Sequence, residues 1–186
     1  ATPTPENVEL LEAWLQAITA FGAYTREQPW RFYEELDDYL GPWGQSGYLI
    51  AYGKKYCTLF YHDEDLRTNV VGRVWVRRTL LLLQDAIKQL VLERFRRGTL
   101  HQLSKEELES VAFDSHPAAY TEGGLALVVL TSRALVFRVA TIPGKEFIPG
   151  TKNFAASWRQ MFQTSELLVQ QATRGVVRRV VRSHAR

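Results

Sequence analysis

Apolar positions recur at intervals of three and four along most of this chain, the spacing that lines one face of an α-helix. Val8, Leu11, Trp14, Leu15, Ile18 and Phe21 carry that period in the first segment, and Gly22 stops it. Thr4 is placed to cap this helix, with Pro5 at its first position. A second helix is predicted from Thr25, with Gln28 three residues on as in a capping box. Trp30, Phe32, Tyr33, Leu36, Tyr39 and Leu40 supply its apolar content, and Gly41-Pro42 ends it.

Residues 47–62 admit two readings. Tyr48, Tyr52, Tyr56 and Phe60 are spaced by four, which stacks them along one side of a helix. The same stretch fits a hairpin, 48–52 with 56–61, turning at Gly53-Lys54-Lys55, although no strong two-residue hairpin turn is present. The clearest element covers about 70–97. Asn69 is its predicted cap and Gly98 its stop, and Val76, Leu80, Leu83, Ile87, Leu90 and Val91 form one stripe. Leu81, Leu82 and Phe95 lie off that stripe, which predicts a central helix packed on several sides.

Ser104-Lys105-Glu106-Glu107 is a capping box opening a further helix through Leu108, Val111 and Ala112. The polar stretch from Asp114 to Gly124 reads as a loop, or as a helix start with Pro117 at its first position. Residues 125–142 follow as two buried helical turns or a pair of strands. Pro143-Gly144 and Pro149-Gly150 bracket a loop, and a last helical region is predicted over 154–182 with a bend at Gly175. Together these elements predict a mainly α protein: one compact domain of six or seven helices over residues 1–173, with a short β-hairpin at 48–61 or 125–142 as the alternative, and a separate amphipathic tail over 174–186.

Composition and charge sharpen this picture. The chain has 186 residues, 46% of them apolar and 23% charged, which excludes a disordered or low-complexity protein. A single cysteine excludes an intramolecular disulfide framework. The formal net charge is +3, but it is unevenly placed. Residues 174–186 hold Arg174, Arg178, Arg179, Arg182 and Arg186 and no acid, so the preceding 173 residues carry 18 basic against 20 acidic side chains. The basicity therefore belongs to the tail. The excess of 17 Arg over 6 Lys favours bidentate contacts to carboxylate or phosphate, and equally fits a GC-rich bacterial genome. The Ala-Thr-Pro-Thr-Pro start lacks the apolar core of a signal peptide and reads as a processed or trimmed end. The longest apolar stretch, 124–142, contains Arg133 and Arg138, which argues against a membrane span. The chain is expected to be soluble, cytoplasmic or secreted.

Four places invite a chemical reading. Asp114, His116, Tyr120 and Glu122 would form a general acid–base set if a loop brought them into one cleft. His62-Asp63-Glu64-Asp65 has metal-ligand chemistry, and His62-Asp63 is similar to the paired ligands of helical metal-dependent phosphohydrolases. The remaining histidines, His101, His116 and His184, all lie downstream, so that pattern is incomplete. The acids equally suit the start of the long helix. Cys57 sits in apolar sequence and reads as an inert thiol. Of 22 aromatic residues, 13 fall between Trp14 and Tyr61, enough for a core of large rings or a binding face, with Trp43 the ring expected at the surface.

The tail sets Val176, Val177, Val180 and Val181 on one helical face, with Arg178, Arg179 and Arg182 on the other. Such a segment suits an acidic protein, an anionic membrane or a nucleic acid. No phosphate loop, nucleotide fingerprint or hydrolase elbow is present. The resulting expectation is a non-enzymatic domain without metal or cofactor, holding a protein partner through its aromatic N-terminal half, Trp43 included, or its basic tail. A small secreted or effector-type hydrolase using His116 is the first alternative, and membrane or nucleic-acid binding through the tail the second.

Overall fold

The computed structural model describes residues 7–22 and 25–142, together with Gln163. Within them the protein is all-α. The chain forms α1 (Val8–Ile18), α2 (Arg31–Leu40), α3 (Lys55–His62), α4 (Glu64–Thr68), α5 (Val70–Arg96), α6 (Lys105–Glu122), α7 (Leu125–Thr131) and α8 (Arg133–Thr141). No strand occurs among the described residues, so neither hairpin forms. The predicted 143–152 loop, the helix over 154–182 and the boundary at 173/174 lie outside them.

Local chemistry explains where the helices begin. Asn7 caps α1 by accepting from the Leu10 amide at 2.9 Å, while Thr4 falls outside the described residues. The second helix starts at Arg31 and not at Thr25. The Thr25 hydroxyl donates to the Thr19 carbonyl instead of capping a helix, and 25–31 form successive turns. Pro29 brings no amide, biases Gln28 away from helical geometry, and gives its carbonyl to Gln84 Nε2 at 2.9 Å. Asn69 caps α5 through the Val71 and Gly72 amides, and Ser104 caps α6 through the Glu107 amide, as the sequence predicts.

Residues 49–62 are helical throughout, opening with a wide π-helical segment, Leu49–Lys54, that runs into α3. Gly53 lies in this segment against the face of the Tyr33 ring, where any side chain would collide with the ring. Tyr48 and Tyr52 stack at 6.1 Å and Tyr52 and Tyr56 at 6.4 Å, so the four-residue spacing becomes a column of rings. Residues 125–142 also form helices. Ser132 adopts an extended backbone between α7 and α8 and caps α8 through the Leu135 amide.

α5 is the axis of the fold and packs against α1, α4, α6 and α7. Trp75, Val76, Leu80, Leu83, Ile87, Val91 and Leu92 give it a buried side, which meets Phe32, Tyr33, Tyr48, Phe60, Leu108 and Tyr120. Leu81 is exposed, however, as are Val70 and Val74, so the N-terminal half of α5 is not enclosed on every side. No helix among the described residues is long and apolar enough to cross a membrane.

Candidate functional site

α6 does not stop at Phe113. It continues to Glu122 with Pro117 inside it, so the expected polar loop is helix interior. Its Ser104 cap and the burial of Leu108, Ala112, Ala119 and Tyr120 accompany a helix that runs on across the proline. Pro117 cannot donate to the Phe113 carbonyl four residues back. The His116 ring reaches back along this turn, with its Nδ1 2.7 Å from the Ala112 carbonyl. A neutral imidazole protonated at Nδ1 donates there.

Helical geometry then separates the expected acid–base set. His116 and Tyr120 are one turn apart and share the buried side of α6. Asp114 and Glu122 are exposed on the other side. The four residues do not line one cleft. A chain that ran on as a helix where a loop was expected turned two of them away.

His116 and Tyr120 instead belong to a buried cluster of hydroxyl, thiol and imidazole groups. Tyr33, Tyr48, Tyr56, Cys57, His116 and Tyr120 border a cavity of about 20 Å³, room for a single water. No carboxylate borders it. Burial lowers the His116 pKa from its ordinary 6.5 to about 4, against the opposing pull of the Ala112 and Phe113 carbonyls. Burial also raises the Tyr33, Tyr48 and Tyr120 phenols and the Cys57 thiol well above their ordinary ranges. All of these groups are therefore neutral at pH 7. The thiolate that a cysteine nucleophile needs is strongly disfavoured at Cys57. Around the cluster the rings meet edge to face: Tyr48 with Phe113 at 5.1 Å, Trp75 with Tyr120 at 5.2 Å, Phe60 with Trp75 at 5.7 Å.

No protein-family model, curated protein or solved structure matches this chain. What the chain does must be read from its own residues.

Asp63, proposed above among metal-ligand residues, is committed elsewhere. One of its oxygens caps α4 through the Leu66 amide at 3.0 Å, and the other accepts from Nε and Nη2 of Arg138 on α8. Asp65 stands 3.4 Å from the same guanidinium, whose pKa these acids raise. His62 is exposed and packs beside Trp30. Among the described residues no group of three metal-ligating side chains converges.

Trp43 is half-buried and not the surface ring expected. Its indole lies between Gly41 and Gly47, each close enough that a side chain would strike it. Asp37, itself buried, fixes this loop by accepting from the Trp43 amide at 3.3 Å and the Gly44 amide at 3.0 Å. Arg178, Arg179 and Arg182 lie outside the described residues.

No sequence motif singles out Gln84. It is fully buried, takes the Ala20 amide on Oε1 at 2.6 Å, and ties α5 to the 19–30 turns through the Pro29 carbonyl. Its place in register with Leu80, Ile87 and Val91 was a usable signal: a polar residue on the apolar stripe of a helix is bonded or destabilising.

Proposed function

We propose that this protein is a non-enzymatic helical domain that holds a protein partner. The observation behind this reading is the distribution of its side chains. His116, Tyr120 and Cys57 are buried, neutral and without a carboxylate among the residues around their cavity, while Asp114 and Glu122 stand in solvent across α6. Large apolar side chains, by contrast, face solvent on α5, α7 and α8, including Leu127, Leu130 and Phe137, the last 65% exposed. Leu127 and Leu130 lie one turn apart on α7, and neighbouring exposed apolar side chains of this kind suit association with a partner. The aromatic N-terminal half serves mainly as core, since Phe32, Tyr33, Tyr48, Tyr56 and Phe60 are buried. That leaves the aliphatic helix faces and the basic tail, with Arg178, Arg179 and Arg182, as the contact elements.

The test is co-purification of partners with the full chain and with a form truncated after Thr173. Weaker association of the truncated form supports a role for the tail, and unchanged association with every partner removes it. Hydrolysis of p-nitrophenyl esters or phosphate diesters that disappears in His116→Asn, with the fold intact, would overturn the non-enzymatic reading and restore the hydrolase.

A further inference from the structure

The two ends of α5 treat their cations differently. At its C-terminal end, Arg94, Arg96 and Arg97 each meet a carboxylate: Glu107, Glu12 at 3.7 Å and Glu93 at 2.5 Å. In its N-terminal half, Arg73, Arg77 and Arg78 are exposed, and none has a carboxylate within salt-bridge distance among the described residues. Carboxylates are not scarce, because residues 1–142 hold 18 acidic against 15 basic side chains. Arg73, at the end of the first turn of α5, also opposes the macrodipole, and no acid occupies that turn to offset it.

The arginines surround an exposed apolar ridge. At 3.6 residues per turn, Val70, Val74 and Leu81 fall within about 40° of one another on the helix. They are 63%, 45% and 38% exposed. Arg73 and Arg77 flank this ridge on one side and Arg78 on the other, so the six residues span an arc of roughly 140° over about three turns. The Arg77 guanidinium lies 4.1 Å from the centre of the Phe21 ring, which orders the side chain without neutralising it.

We propose that this face of α5 is a docking surface for an acidic amphipathic helix of a partner protein. The inference rests on the protein-interaction reading above and names the partner's chemistry. Val70, Val74 and Leu81 would pack against an apolar stripe, and the flanking arginines would take carboxylates on either side of it in bidentate pairs. A phosphate backbone would gain nothing from the aliphatic centre of the face. The chain's own residues 143–186 are the wrong sign, with eight basic and two acidic side chains. The outward carboxylates of α6 in a second copy, Glu106, Asp114 and Glu122, have no large apolar stripe among them.

The probe is a fluorescein-labelled peptide helix of about 18 residues, five turns, with leucines on one stripe and glutamates flanking it. Binding to the full-length protein is followed by anisotropy. The expected result is saturable binding that weakens with added salt and falls ~10-fold or more in Arg73→Glu/Arg78→Glu and in Val74→Asp, with circular dichroism and urea midpoint unchanged. Equal binding of a lysine-flanked peptide, or equal affinity for the variants, overturns the proposal. So does arginine-dependent binding of phosphatidylserine vesicles or a DNA oligonucleotide without peptide binding, or a self-association that the variants abolish. The two levels of inference separate in co-purification. Partners retained equally by wild type and Arg73→Glu/Arg78→Glu would sink this face and leave the interaction domain standing; no partner for either would sink both.

Discussion

His116 makes the stability of this protein depend on pH in a range where carboxylates contribute little. In the folded state its pKa is about 4, against an ordinary 6.5 once unfolding exposes the ring. Between those values the unfolded chain binds a proton that the folded chain refuses, so acid favours unfolding. The stabilisation is whole above pH 6.5 and shrinks as pH falls toward 4. At ~1.4 kcal/mol for each tenfold factor, the full loss is about 3 kcal/mol, of which about 2 kcal/mol is gone by pH 5. The Ala112 and Phe113 carbonyls oppose this loss only in part, and no carboxylate borders the cavity beside the ring. The assay is urea unfolding of wild type and His116→Asn at pH 7 and pH 5. Asn places an amide near the position of Nδ1, so it keeps a donor for the Ala112 carbonyl while removing the titration. The variant is expected to be less stable at pH 7, from the space it leaves, but to lose about 2 kcal/mol less than wild type between the two pH values. Identical losses in both proteins would refute the assignment of this pH dependence to His116.

Three further outcomes follow from the packing. Gly53→Ala adds a better helix former yet should destabilise the fold by about 1–3 kcal/mol in chemical denaturation, because the methyl meets the Tyr33 ring; a neutral or stabilising effect would contradict that contact. Asp63→Ala removes both the α4 cap and the charge-assisted bonds to Arg138, for about 2–4 kcal/mol in denaturation midpoint analysis. Arg138→Gln, whose side chain is partly exposed, should cost distinctly less, and equal costs would show that the cap contributes little. Cys57 should resist a disulfide reagent at pH 8 in the native protein and react at once in denaturant, since its thiol is buried and its pKa raised; rapid native labelling would show an open path to the cavity.

Sequence pattern carried the elements whose signals are local. Asn69 and Ser104 satisfy amides within their own first turns, so their caps need nothing from the rest of the fold. The α5 stripe needed only the helical period. Local signals failed where a distant residue decided the outcome. Thr25 satisfies the cap rule, but the Thr19 carbonyl and the Gln84 amide claim that segment first. Within the helical residues 49–62, Gly53 lets the Tyr33 ring close on the backbone, a contact across twenty residues that the local spacing does not contain.

The same division governs function. The residues of the acid–base set were visible in the chain, as was the chemistry each could perform. Whether they met was not, because that depended on α6 persisting through Pro117, and its persistence rests on apolar partners from other helices. By itself the sequence determined that the protein is helical, which residues titrate, and that its positive charge is concentrated at one end. Tertiary packing decided which of those groups water can reach. It sealed His116 and Cys57 in a neutral core, set Asp114 and Glu122 apart from them, and left an arginine-flanked ridge of α5 exposed. Burial is a property of what surrounds a side chain, and one helix's pattern does not contain its neighbours.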